Sequence, residues 1–373
     1  MKIIFNIILY CCCFSLFLSS CAKKESSSGS SSSSATTTAS DNSKSSFSVS
    51  EITQTNEGDG YLSGSFVVPS DGISFMLATF MDNNSVVAFY SLSDPDGTNI
   101  LSSLGTWGGY GFASVLVPQT PNFSAKAGTW TFKNYANDRV KLSLRTGSTP
   151  SAATITVQPY ITGTTWSAND IASALSVMSN IYNKNGITLS LKDTITISES
   201  QYATVSSSFT DSTTSALVSQ GSKDTVNLFF VEDQPSSETA LYGVSAGLPG
   251  TMGIASSWNG VINYLSAHAT GSTLNSQLLG ETAAHEMGHW LGLFHTTEAN
   301  GTSFDPLSDT AQCAISRDND NDAKVYPEEC VGYGADNLMF WTAWSTSSQA
   351  AGKKQENLSS EQQYILKYSP IAK

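Results

Sequence analysis

Three of the chain's four histidines fall in one short window, and they constrain the fold more than any other feature. The window is Glu281 to Glu298, ETAAHEMGHWLGLFHTTE, which holds His285, Glu286, His289, Gly292 and His295. On a helix of 3.6 residues per turn, residues four apart share a face, so His285 and His289 stand one turn above the other. Imidazoles so placed can share one metal ion. Glu286 follows the first of them, close enough to take a proton from a water on that metal. Gly292 suits the left-handed residue that ends a helix, letting the chain turn sharply and return His295 as a third ligand. Three neutral nitrogens and one open position describe a catalytic zinc site. The expectation is therefore Zn2+ on His285, His289 and His295, with Glu286 as general base. A lone pair of helical histidines is ordinarily surface or core; Glu286, Gly292 and His295 set this window apart from that case.

HEMGHWLGLFH matches the pattern HExxHxxGxxH, and in this the chain resembles the metzincin clan of zinc metalloproteases. The resemblance implies an α+β catalytic domain, hydrolysis of peptide bonds in a protein or peptide substrate, and a Met-turn beneath the metal. Asp336-Asn337-Leu338-Met339-Phe340-Trp341 supplies that turn, with Met339 as its floor. From His285 through Asn337-Leu338-Met339 to Leu358-Ser359-Ser360-Glu361-Gln362, the run is most similar to the pappalysin-like branch. One position departs from a pattern seen in some branches. Trp341 stands second after Met339, where a Tyr can assist the metal or the transition state, so no such role is assigned. The implied function is a zinc endopeptidase. The other class weighed is a surface adhesin or binding lipoprotein with a vestigial protease domain.

The remaining chain sets the frame for that site. Lys2 precedes an apolar run, Ile3 to Leu18, that falls short of the ~20 residues of a membrane span and reads as a signal peptide. Leu18-Ser19-Ser20-Cys21 resembles the lipobox of bacterial lipoproteins, which implies lipidation of Cys21. The expected organisation is a leader over 1–21, a Ser-rich disordered tether over 22–46, a β-sandwich over 47–150 and the catalytic domain over 151–373. It places a monomeric protein in the cell envelope, facing outside the cytoplasm and held to the membrane by its N-terminal lipid. The tether has almost no large apolar residue and cannot bury a core. From Phe47 to Thr149, short alternating runs such as ISFMLATF, FASVLVP and TWTFKNY are separated by turn signals, as in an antiparallel sandwich. Two patterns there, Ser93 to Thr98 and Ala127 to Phe132, resemble sandwich domains that accompany secreted proteases. A net charge of −13 argues against nucleic acid as a partner, because phosphate binding needs clustered Lys and Arg.

Beyond residue 151, ATITVQPYI reads as a strand, and Ser167 with Asp170 three residues on reads as a helix start. Ile171, Leu175, Met178, Ile181 and Tyr182 recur at helical spacing, and Asn185-Gly186 closes that helix. Gly243 to Ile262 carries too many glycines for a helix and is expected to be irregular. Gly280 and Gly288 each lower helix propensity by about 1 kcal/mol relative to Ala, so close packing is expected to require them. Between the histidine window and Met339 lies an acidic loop. Asp318, Asp320 and Asp322 alternate, with Glu329 at the twelfth position, as in a calcium-binding EF-hand loop, although position six is Ala323 rather than Gly. A Ca2+ site and a merely solvated loop both fit. Cys313 and Cys330 bracket the loop and are expected to form a disulfide in an exported protein.

Overall fold

The computed structural model describes residues 45–58, 60–81, 85–104, 108–135 and 139–373. The expected leader, Cys21 and the tether up to residue 44 lie outside the described residues. Between Ser46 and Thr146 the alternating runs pair into two four-stranded antiparallel sheets. One holds β1 (Ser46–Ile52), β4 (Gly72–Phe80), β8 (Phe112–Val117) and β10 (Arg139–Thr146) in the order β1-β10-β4-β8. The other holds β2 (Thr55–Asn56), β3 (Leu62–Val68), β6 (Phe89–Ser93) and β9 (Gly128–Asn134) in the order β2-β3-β9-β6. A short ribbon pairs β5 (Val86–Val87) with β7 (Gly109–Tyr110). Ser46 already pairs with Thr146, so β1 takes the last residue expected in the tether.

The first of these sheets has no wet face along β4 and β8. Phe75, Leu77, Val115 and Val117 join Trp130 and Phe132 in the core between the two sheets. Met76, Ala78, Phe80, Phe112 and Leu116, the residues of opposite parity, enter the core of the second half of the chain. GISFMLATF and FASVLV are apolar at both parities, and burial of both strand faces calls for that pattern. Residue 150 lies between strands, and one core takes side chains from both sides of it while another lies wholly before it.

The second half is built on a six-stranded sheet in the order β12-β11-β14-β16-β15. Its strands are β11 (Ala153–Thr162), β12 (Ile187–Leu191), β13 (Ile195–Ile197, also paired with β11), β14 (Val226–Val231), β15 (Gly243–Ser245) and β16 (Val261–Tyr264). All pairings are parallel except β15 on β16. The architecture is thus mixed α/β rather than segregated α+β. The stretch expected to be irregular is so only in its middle, since β15 opens it and β16 begins at Val261. A ribbon, β17 (Ala269–Thr270) with β18 (Thr273–Leu274), leads into the histidine window.

Five helices accompany this sheet among the described residues: α1 (Ala168–Lys184), α2 (Ser212–Val218), α3 (Ser276–Trp290), α4 (Thr346–Ala350) and α5 (Ser360–Tyr368). The start of α1 is fixed as its sequence requires, with the Ser167 amide donating to Asp170 at 2.7 Å. Its apolar stripe is buried, and the Tyr182 hydroxyl donates to the Ala284 carbonyl of α3 at 2.9 Å. A Cβ at Gly280 would come within 2.7 Å of the Ala174 carbonyl and the Val177 side chain, so this glycine lets α1 and α3 approach closely. Among the described residues, no helix is long and apolar enough to cross a membrane.

Candidate metal centre

Helix α3 carries the first two histidines and begins at Asn275, whose side chain accepts the Leu278 amide at 3.1 Å. It ends at Trp290, two residues before Gly292, which takes φ +105 and redirects the chain. The turn brings His295 back, so that its Nε2 lies 3.2 Å from Nε2 of His285 and 3.0 Å from Nε2 of His289. Each ring is anchored through its other nitrogen. His285 Nδ1 meets the Leu338 carbonyl at 2.7 Å, His289 Nδ1 the Leu293 carbonyl at 2.7 Å, and His295 Nδ1 the Glu298 carboxylate at 3.0 Å. Those acceptors favour the tautomers with the proton on Nδ1, in which the Nε2 atoms can serve as ligands.

Three imidazole nitrogens this close together need a proton or a metal cation among them. Tetrahedral zinc at about 2.0–2.1 Å from nitrogen requires neighbouring nitrogens ~3.3 Å apart, close to the distances seen. The residues therefore fit the metal that their spacing led one to expect. Burial pushes the His285 pKa down to about 3, helped by the charge of His295, so the ring stays neutral as a ligand must. His289 is likewise held well below its ordinary value, by burial first and then by the charges of His295 and His285. In His295 burial acts downward as well, but the charge and hydrogen bond of Glu298 carry the pKa above the ordinary value. A carboxylate behind a ligand imidazole orients the ring and raises its basicity. Glu298 was not picked out in the sequence, although it closes the histidine window three residues after His295.

Glu286 lies on α3 next to His285 and is buried. Burial pushes its pKa up to about 7, against the opposing effects of His295 and of the Ser245 backbone amide. The edge strand β15 packs here, where a Cβ at Gly243 would fall 2.8 Å from Glu286 Cγ. Met339 lies on the other side of the site. A Cβ at Gly288 would meet its Sδ at 2.6 Å, so the second helical glycine makes room for this methionine. The turn around Met339 is pinned from below. Asn337 Oδ1 accepts the Met339 amide at 2.8 Å, and Asn337 Nδ2 donates to Gln362 of α5 at 2.9 Å. Trp341 donates through Nε1 to the Val325 carbonyl at 2.6 Å.

A cleft beside His285 and Glu286 is lined by Leu278, Glu281, Phe340, Trp341 and Gln355 among others. Glu281 in its wall is buried, and burial pushes its pKa up to about 7 despite a hydrogen bond from Gln277. His268, the fourth histidine, stands behind α3 with Nδ1 at the Tyr264 carbonyl and Nε2 at Thr282 Oγ1. It braces the helix through Thr282, three residues before His285.

The acidic loop lies apart from this centre. Carboxylate oxygens of Asp318, Asp320 and Asp322 lie within 4.8 Å of one another, while Glu329 accepts the Asn319 and Tyr326 amides at 2.6 and 2.9 Å. Ala323, in the sixth position, takes φ +67, the left-handed backbone for which Gly is the usual choice. Cys313 and Cys330 form a disulfide with a Cα separation of 5.6 Å. Nearby, Asp305 accepts from Thr310 Oγ1 at 2.6 Å, and Asp309 accepts the Glu361 amide at the start of α5.

Residues 168–296 match the family described as Metallo-peptidase family M12B, reprolysin-like, which includes all of the histidine window up to His295. Three curated proteins bear related sequences, each named an extracellular metalloprotease. That from Colletotrichum graminicola is 36% identical over 111 residues, 26% of this chain and 37% of that protein. That from Podospora anserina is 27% identical over 157 residues, 40% of this chain and 52% of that protein. That from Coccidioides posadasii is 25% identical over 179 residues, 48% of this chain and 62% of that protein. This chain thus spans less than two thirds of the length of these relatives. Among solved structures, archaemetzincin from Methanopyrus kandleri is similar with a TM-score of 0.33 and 11% identity, covering 58% of this chain and 94% of that one. The stretch that carries the histidines is thus similar in sequence to reprolysin-like metallopeptidases.

Proposed function

We propose that this chain is a zinc-dependent endopeptidase acting outside the cytoplasm, with His285, His289 and His295 holding the metal and Glu286 moving the proton. The observation that carries the proposal is the triangle of Nε2 atoms, each turned inward by an acceptor on its Nδ1. Bound zinc supplies Lewis acidity, which lowers the pKa of water to about 7 and polarises the scissile carbonyl. Glu286, with its pKa raised to about 7, is matched to take a proton from that water and return it to the leaving amine. Its place in a buried pocket keeps bulk water from short-circuiting the transfer. Met339 serves as the floor that keeps the two helical ligands in position. The extended edge of β15 suits a substrate segment added as a further strand, with one of its side chains in the cleft by Glu281.

Replacing Glu286 by Gln leaves zinc bound in this reading and lowers the cleavage of unfolded casein by at least ~10²-fold. A variant that binds zinc and cuts as fast as the parent overturns the mechanism. The names of the sequence relatives favour the enzyme over the binding lipoprotein.

Finer parts of the reading concern placement and accessory sites. Residues 47–150 act as a β-sandwich domain and 151–373 as a pappalysin-like catalytic domain, in a monomer. Lipidation at Cys21 would anchor the chain in the cell envelope, and fractionation of cells carrying Cys21→Ser tests this, since an unchanged membrane fraction removes the anchor. Calcium on Asp318, Asp320 and Asp322, with Glu329 closing the loop, is supported by the left-handed Ala323. A calcium titration that leaves thermal unfolding unmoved removes that ion.

A further inference from the structure

We infer that the N-terminal sheets are a permanent part of the catalytic unit rather than a removable segment, and that Leu116 on β8 is a positioning residue for His295. The inference rests on the reading of His295 as a metal ligand. It starts from the parity of β4 and β8, which sends every second side chain into the core of the histidine-bearing half. Leu116 is one of these. A Cβ built on Gly292 would lie 2.6 Å from Leu116 Cδ2, so the leucine occupies the space that a side chain at this turn would fill. Gly292 is the left-handed residue through which the chain leaves α3 and returns three residues later as His295. Leu116 therefore closes the outside of the turn whose shape sets the third ligand.

The same sheet grips the loop beneath α3. Ser114 Oγ donates to the Pro249 carbonyl at 2.7 Å and Ser143 Oγ to the Met252 carbonyl at 2.5 Å. Between those two carbonyls, the Gly250 amide donates to the Trp290 carbonyl at the end of α3 at 2.8 Å. Phe112 stacks on Trp258 with ring centroids 5.4 Å apart. A third connection runs to the C-terminus. Arg145 of β10, itself buried, donates through Nη1 to the carbonyls of Lys367 and Ser369 at 2.7 and 3.3 Å. They lie at the end of α5, the helix whose Gln362 holds Asn337 under Met339. Side chains of the N-terminal sheet thus reach the turn to His295, the loop under Trp290 and the support of the Met339 turn. Detaching the sheet would bare an apolar face and leave those backbone carbonyls without their donors.

Two experiments decide the matter. In the first, a recognition sequence for a specific protease is inserted at the exposed Ser148-Thr149 connection of the full chain, which is then cut. The two pieces are expected to co-elute in size exclusion, to separate only in denaturant and to retain casein cleavage while together. Pieces that part in buffer, with the C-terminal piece still active, overturn the inference. In the second, Leu116→Ala is compared with Val115→Ala, whose side chain faces the other sheet. Zinc affinity is read by competition with a chelating dye, alongside thermal unfolding. Leu116→Ala is expected to weaken zinc binding about tenfold and Leu116→Met to restore it, whereas Val115→Ala lowers the unfolding temperature without moving zinc affinity. Equal effects of the two alanine variants on zinc, or no effect of either, overturn the role of Leu116. A parent chain that binds no zinc defeats the metal reading itself, and the cut-chain experiment still decides whether the sheets stay docked.

Discussion

At the scale of single residues, the centre is governed by which hydrogen-bond partner each side chain is given. The three ligand imidazoles differ in what stands behind them, two carbonyls and one carboxylate, and that difference sends the pKa of His295 in the opposite direction from the other two. Glu281 extends the same logic to the cleft. Burial raises its folded pKa to about 7, above its ordinary value, so the folded state holds more protons than the unfolded one between pH 4.5 and 7. Stability from this group is complete below pH 4.5 and is lost as pH rises through 7. Glu281→Gln should therefore flatten the pH dependence of unfolding across that window, by roughly 3 kcal/mol over its span. Denaturant midpoints at several pH values check this, and identical slopes in parent and variant would contradict it. The convergence of His285, His289 and His295 was legible in the sequence because one helix face and one turn suffice to bring them together. Glu298, Glu281 and His268 were not, because their roles depend on what the fold sets against them.

At the scale of elements, glycine and cystine do the shaping. Gly280 and Gly288 run against helix propensity, and the sequence alone suggested close packing as the reason. The structure identifies the neighbours as α1 for the first and Met339 for the second. Chain reversal at Gly292 was also foreseeable, since a metal needs His295 back within reach. The loop between the centre and the Met339 turn is held by Cys313–Cys330, 17 residues apart and packed with Trp341 and Trp344 in a small core of their own. Closing a loop of this length contributes about 3 kcal/mol through the unfolded chain. Replacing both cysteines by serine should lower the unfolding free energy by about that amount and spare the ligand geometry. Denaturant unfolding and zinc titration of the double variant measure the two parts. An unchanged unfolding midpoint would show that the bond leaves stability untouched.

At the scale of the whole molecule, one sheet belongs to two cores. A chain beginning at Ser151 keeps every residue of the metal centre but loses the cover over the apolar surface that packs against Met76, Ala78, Phe80, Phe112 and Leu116. Exposed apolar patches of this kind drive association. The truncated chain is expected to aggregate, or to elute as oligomers, where the full chain elutes as one species. Light scattering on the two proteins tests this, and a monodisperse, active truncation would contradict it.

The sequence by itself determined that three histidines and Glu286 would gather, because residues within an eleven-residue window need only one helix and one turn to meet. It also determined most of the strands, whose alternation is a local property of the chain. Only the tertiary structure decided that the sheet of the second half is parallel but for its edge, that Glu298 backs His295, and that the N-terminal sheets share their core with the metal-binding half. Those facts arise from residues far apart in the chain. Apolar residues at both parities in β4 and β8 say that a strand is covered on two sides, but not by what, and the identity of the cover is fixed only when the whole chain is packed.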